Sequence, residues 1–273
     1  MLILSIESSA KPASVAVFEV NENQSTGGKL LGQYFQNNGF SHSRTLLTMT
    51  ESLLKNLELK PTDIDLIAVA SGPGSFTGVR IGVSAAKGLA WGLDIPVCGV
   101  STLEAMAYQT LENDTLICPV MDARREQVYN ALFKWHDSTL KRLTEDRAIS
   151  LEVLTKELES YDIPILTVGD GVDVFNAHLL RKLEIKASLG HAESSGHTAN
   201  IGQTPPPEHT TPTEQIAQPN YKTVPELLRY QTAYGVALAA LNNKPCPATE
   251  LEPFYLRPSQ AEREKANTIS ALN

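Results

Sequence analysis

The strongest constraint on the fold lies at residues 66–92, where an apolar run meets a glycine-rich loop and then a helical stretch full of small residues. Leu66-Ile67-Ala68-Val69-Ala70 reads as a buried strand and Ser71-Gly72-Pro73-Gly74-Ser75-Phe76-Thr77-Gly78 as a tight connection. From about residue 79 to 92 the pattern is helical, with Gly78, Gly82, Ala86 and Ala90 four apart on one face. So bare a face lets a strand or another helix approach closely, at a cost in helix propensity. Strand, loop and helix in that order define an α/β unit.

The flanks extend it. Residues 2–6 and 14–20 read as a hairpin around the turn Ser8-Ser9-Ala10-Lys11-Pro12-Ala13, and 29–35 as a third strand. Residues 42–58 read as a helix with Leu46, Leu47, Thr50, Leu53, Leu54 and Leu57 in a stripe about 120° wide, started by Ser41 or Ser43. A strand at 95–100 and a helix at 102–111 follow. A second β region then opens at 116–121, turns at Asp122-Ala123-Arg124-Arg125 and returns at 127–135. A helix at 151–161, a strand at 165–168 ending on Gly169-Asp170-Gly171, and a helix at 172–183 complete a second α/β unit.

At 273 residues the chain suits two such lobes, 1–104 and 105–273. Residues 186–222, with Pro205-Pro206-Pro207 and few apolar side chains, read as a disordered polar insertion. Pro225 opens a last helix to Leu241, expected to pack back toward the N-terminal lobe, before a charged tail.

Lys plus Arg number 23 against 31 Asp plus Glu, a net charge of −8, which argues against a mainly phosphate-binding surface. The three cysteines, Cys98, Cys118 and Cys246, form neither a metal spacing nor a disulfide framework. Residues 1–7 have no basic leader, and the longest apolar run, 233–241, is far short of the roughly 20 residues of a spanning helix. The expectation is a soluble cytoplasmic protein.

The glycine loop follows a strand and opens a helix, the place where backbone N–H groups and the helix dipole hold an anion. Neither the Walker nor the dinucleotide spacing is met, and a tight turn for close packing explains the same glycines. Glu7, beside Ser8 and Ser9, reads either as a group orienting a metal-bound phosphate or as a carboxylate capping a hairpin turn. Asp122, Arg124, Arg125 and Glu126 read as a solvated hairpin tip, and Asp170 as the cap of the following helix. The six histidines, His42, His136, His178, His191, His197 and His209, are scattered, so no metal ligand set is expected. Gly72-Pro73-Gly74-Ser75-Phe76 lacks the second glycine of a nucleophile elbow.

Five blocks in order resemble one family. They are Ile3-Leu4-Ser5-Ile6-Glu7-Ser8-Ser9 with Ser14-Val15-Ala16-Val17, then Ser41-His42-Ser43-Arg44-Thr45-Leu46-Leu47, then Ala70-Ser71-Gly72-Pro73-Gly74-Ser75-Phe76-Thr77-Gly78-Val79-Arg80-Ile81-Gly82. Met121-Asp122-Ala123-Arg124-Arg125-Glu126-Gln127-Val128-Tyr129 and Pro253-Phe254-Tyr255-Leu256-Arg257 complete the set. Together they are similar to the TsaB (YeaZ) family of tRNA threonylcarbamoyladenosine biosynthesis proteins, outside about 20–33 and 186–222.

The resemblance implies an actin/Hsp70-like (ASKHA) α/β fold of two lobes, each a mixed sheet with flanking helices. It implies a non-catalytic scaffold subunit that pairs with the catalytic subunit TsaD, whose His-x-x-x-His metal motif is missing here. TsaE is the third partner, tRNA is met through the complex, and a homodimer forms in isolation. Pairing through the first helices points to Leu46, Leu47, Thr50, Leu53, Leu54, Gly78, Arg80, Gly82 and Ala86. The same faces serve equally as the core of the lobe, and the sequence leaves both readings standing. Glu7 stands where actin-fold ATPases place an aspartate, so no cofactor is expected. Glu7, Ser8, Ser9, Gly72 and Gly74 leave room for a vestigial nucleotide or anion site. The alternatives are a stand-alone ATPase or small-molecule kinase and, further off, a peptidase.

Overall fold

The computed structural model describes residues 1–21, 27–39, 41–137, 139–194 and 220–257. The first sheet grows outward from β1 (Leu2–Glu7), antiparallel to β2 (Ala13–Val20) and parallel to β4 (Leu66–Gly72). β3 (Gly28–Gln36) joins β2 and β5 (Val97–Ser101) joins β4, giving the order β3-β2-β1-β4-β5. The crossovers that parallel neighbours require carry α1 (His42–Asn56) before β4 and α2 (Phe76–Leu93) after it. α3 (Thr102–Tyr108) leads away from β5.

The second sheet repeats the plan. β6 (Leu116–Asp122) runs antiparallel to β7 (Gln127–Asn130) and β8 (Phe133–His136) in one continuous register, and parallel to β11 (Ile165–Val168). β9 (Thr139–Arg142) pairs with β8 and β10 (Arg147–Ser150) with β7, while β12 (Tyr221–Thr223) joins β11. With β7–β8 and β9–β10 each taken as one broken strand, both sheets have the same order and the same senses of pairing. α4 (Leu151–Leu158) and α5 (Val172–Ser194) belong to this lobe; α6 (Glu226–Arg229) and α7 (Ala233–Ala240) follow β12.

Alternation along the strands sorts the core into layers. Leu4, Ile6, Val15, Val17, Ile67 and Val69 face α1 and α2. Ile3, Phe18, Leu66, Ala68 and Ala70 face α3 and α7 on the other side. In the second sheet Ile117, Met121 and Phe133 face α3, whereas Leu116, Cys118 and Val120 face α4 and α5. The order of layers is helices, sheet, helices, sheet, helices. Strands covered on both faces must be apolar throughout, which is why β1, β4 and β6 read as unbroken runs.

Several elements differ from their expected form. The strand at 127–135 is interrupted at Ala131 and Leu132, opposite Cys118 and Pro119. Proline has no N–H for the ladder, and Asn130 Nδ2 donates to the Pro119 carbonyl instead, at 2.9 Å. The helix expected at 225–241 is two, because Thr232 caps α7 by accepting from the Gly235 amide, leaving Gln231 buried at the break. β9 and β10 escaped the sequence reading, since Thr139-Leu140-Lys141-Arg142 is a half-exposed polar edge. The insertion expected at 186–222 is ordered at both ends: α5 continues to Ser194, favoured by Ala187, Leu189, Ala192 and Glu193, and β12 begins at Tyr221. Residues 195–219 and the charged tail from 258 lie outside the described residues.

Candidate functional site

β1 ends on Glu7 and β6 on Asp122, so the turns that follow these two strands face a common cleft of about 830 Å³ between the lobes. Its walls include Ser9, Lys11, His42, Arg124, Asp170 and Tyr255. Glu7 does not reach that lining. It is 1% exposed; its Oε1 accepts from the Ser9 amide at 2.6 Å and its Oε2 has no hydrogen-bond partner among the described residues. Burial pushes the carboxyl from 4.5 to about 7, and Asp170 adds to the push. Of the two readings of Glu7, the structure places it as the cap of a hairpin turn.

Asp170 does not cap α5 as expected. Its Oδ1 accepts from Gln231 Nε2 at 2.8 Å, and burial raises its carboxyl while that bond opposes the rise. Among the described residues, no three His, Cys, Asp or Glu side chains are grouped to hold a metal ion.

The glycine loop is filled by the chain itself. A Cβ on Gly72 would lie 2.1 Å from the Phe254 carbonyl oxygen, and one on Gly74 would lie 2.3 Å from that of Ser9. The Ser75 amide already donates to the Ser9 carbonyl at 2.6 Å, Ser8 Oγ donates to the Gly78 carbonyl, and Ser75 Oγ accepts from the Gly78 amide. Close packing of the chain explains these two glycines, while Gly74 and residues 75–78 also line the cleft.

The nine residues expected at a partner interface separate into two groups. Leu46, Thr50, Leu53, Leu54, Gly78, Gly82 and Ala86 are buried in the lobe's own core. A Cβ on Gly82 would lie 2.3 Å from Ser8 Oγ and 3.5 Å from Val69, so the small-residue face receives the β1–β2 turn and β4. For these seven the core reading replaces the interface reading, because sheet and helices of one chain already cover them. Leu47, 52% exposed, and Arg80 face outward.

The sequence reading missed the opposite face of α2. Thr77, Arg80, Ser84, Gly88 and Trp91 are all exposed and recur every three or four residues along one stripe. A Cβ on Gly88 would meet nothing within 4 Å among the described residues, and Trp91 is 85% exposed. The available signal was Trp91, a large apolar residue off the small-residue face. Arg80 is fixed from the strap at residues 251–257: its Nε donates to the Tyr255 hydroxyl at 2.8 Å, and its guanidinium sits 4.0 Å from the Phe76 ring. Phe76 in turn stacks on Tyr255 at 4.7 Å. Further along, Arg257 Nη1 donates to the Ala123 carbonyl at 2.7 Å, tying the strap to the second lobe.

The hairpin tip at 122–126 is solvated as expected, with Arg124 3.5 Å from Asp122. Its backbone was not legible: Arg124, Arg125 and Glu126 have φ of 66°, 56° and 56°, a left-handed turn without a glycine.

Two sheets of identical strand order, joined by interleaved helices around a cleft, define an actin/Hsp70-like α/β protein. The family model for TsaD, tRNA N6-adenosine threonylcarbamoyltransferase, matches residues 38–244. The chain is 34% identical over 192 residues to the tRNA threonylcarbamoyladenosine biosynthesis protein TsaB of Bacillus subtilis, covering 70% of this chain and 81% of that one. To TsaB of Escherichia coli it is 32% identical, covering 63% and 72%. The solved structure of YeaZ from Pseudomonas aeruginosa superposes with a TM-score of 0.62 at 20% identity, over 93% of this chain and 99% of that one. The chain belongs to the TsaB (YeaZ) family.

Proposed function

We propose that the chain is a non-catalytic subunit in the threonylcarbamoylation of the adenosine next to the tRNA anticodon, pairing with a TsaD-type catalytic subunit through the outward face of α2. One observation carries the reading: a tryptophan 85% exposed at the end of a helical stripe that also holds the open notch at Gly88. An aromatic anchor beside space for a neighbouring backbone is the make-up of an interface hot spot. The likeness to the TsaD family model supports the choice of partner, since chains of like fold can oppose the same helices across a near two-fold axis. The same face makes a homodimer when the partner is missing. TsaE and tRNA join through the complex, in the cytoplasm. Glycines packed against the chain at Gly72 and Gly74, and a Glu7 that stays beneath the cleft, support a subunit without a nucleotide chemistry of its own.

Light scattering on this chain mixed with the TsaD homologue of the same organism tests the reading. A one-to-one complex that displaces the homodimer is expected. Trp91→Ala should weaken it about 30-fold, as loss of a hot spot of about 2 kcal/mol does, and leave thermal stability unchanged. No complex, with or without nucleotide and TsaE, would sink it.

A further inference from the structure

Arg80 is the exposed charged residue in the outward stripe of α2, beside a half-buried Lys87 whose Nζ donates to the Leu251 carbonyl, and it is held unlike an ordinary surface arginine. A free arginine loses about 2 kcal/mol of rotamer entropy when a partner fixes it. Here that cost is met in advance, because the guanidinium lies over Phe76, Phe76 stacks on Tyr255, and Nε is bound by the Tyr255 hydroxyl. Among the described residues Nε is the engaged nitrogen, no acidic side chain pairs with Arg80, and the residue is exposed. A planar pair of donors, oriented beforehand and left unfilled, matches the two oxygens of a carboxylate. A phosphate would satisfy the fork equally, but the same stripe offers Trp91 and the Gly88 notch, which suit a protein surface.

We infer that Arg80 is a preorganised carboxylate receptor: the catalytic partner places an Asp or Glu against its Nη1–Nη2 edge while packing on Gly88 and Trp91. The inference rests on the pairing reading above and names the chemistry that the partner must bring. Tyr255 then acts as a positioning residue, and the strap belongs to the interface although it arrives from the far end of the chain.

Titration calorimetry of the full chain into the TsaD homologue at several salt concentrations decides it. Wild-type affinity should fall with salt. Arg80→Ala should bind about tenfold more weakly, as loss of a charge-assisted bond implies, with a flatter salt dependence. Arg80→Lys should keep the salt dependence yet stay several-fold weaker, because an ammonium neither stacks nor forks. Tyr255→Phe keeps the ring and should cost about threefold. Trp91→Ala should weaken binding and leave the salt slope alone. If Trp91→Ala is weakened while Arg80→Ala binds as wild type, the interface is real and the carboxylate is not. Weaker binding by Arg80→Ala with an unchanged salt slope would make Arg80 a packing residue and also overturn the inference. If Trp91→Ala binds as wild type too, the pairing face itself is wrong and the inference falls with it.

Discussion

Glu7 ends β1 as a carboxylate with one oxygen bound to the Ser9 amide and the other without a partner among the described residues. Its folded pKa of about 7 lies above the ordinary 4.5, so the folded chain holds a proton there that the unfolded chain has released. That stabilisation is complete below about pH 4.5 and is lost as pH rises through 7. Glu7→Gln keeps an acceptor for Ser9 and is neutral at every pH. Relative to wild type, it should gain up to about 3 kcal/mol at pH 8 and little at pH 4.5, measured as the urea midpoint. Equal midpoint shifts at both pH values would place the carboxyl in water. A turn cap was one of the two readings that Glu7's place between an apolar strand and two serines allowed. Its depth was not legible, because Asp170, which adds to the rise of its carboxyl, lies far along the chain.

α2 shows what spacing reveals about an element and what it leaves open. Gly78, Gly82, Ala86 and Ala90 announced a close approach, but periodicity carries no label for what approaches. The approaching group is the turn after β1, with Ser8 bonded to Gly78 across 70 residues of sequence. Gly82→Leu should therefore destabilise the lobe by about 1–3 kcal/mol in urea unfolding, as overpacking does, while the folded fraction keeps its partner affinity. Normal stability with weakened pairing would return Gly82 to the interface. The reverse lesson comes from residues 124–126, whose left-handed backbone runs through Arg, Arg and Glu, residues that give no sign of it.

The duplicated plan of the molecule was legible because each lobe opens with a hairpin and continues with strand, loop and helix. The route of the strap was not. α7, the last helix, which the sequence reading expected to pack back toward the first lobe, covers the first sheet beside α3, but the strap crosses unannounced from Leu251 in the first lobe to Arg257 against Ala123 in the second. No local pattern encodes a contact between such distant segments. Arg257→Ala removes the bond from the strap to the Ala123 carbonyl, a charge-assisted bond worth about 1.5–3 kcal/mol. The Phe254 amide, bonded to the Ser71 carbonyl, should then exchange faster with solvent deuterium while amides of β1 stay protected. Unchanged exchange at Phe254 would show that the first lobe alone holds the strap.

The strap also sets a schedule. Arg80 and Tyr255 are 175 residues apart, so a chain growing from its N-terminus exposes α2 long before the clamp on Arg80 can be made. Until residues 233–240 exist, Phe18, Ala68 and Val100 lack their covering helix as well. A half-made chain thus offers bare apolar sheet, the surface that chaperones hold and that aggregates form from. On the pairing proposed above, the face is complete only once synthesis has passed residue 255, which would confine assembly to chains whose second lobe has already been made.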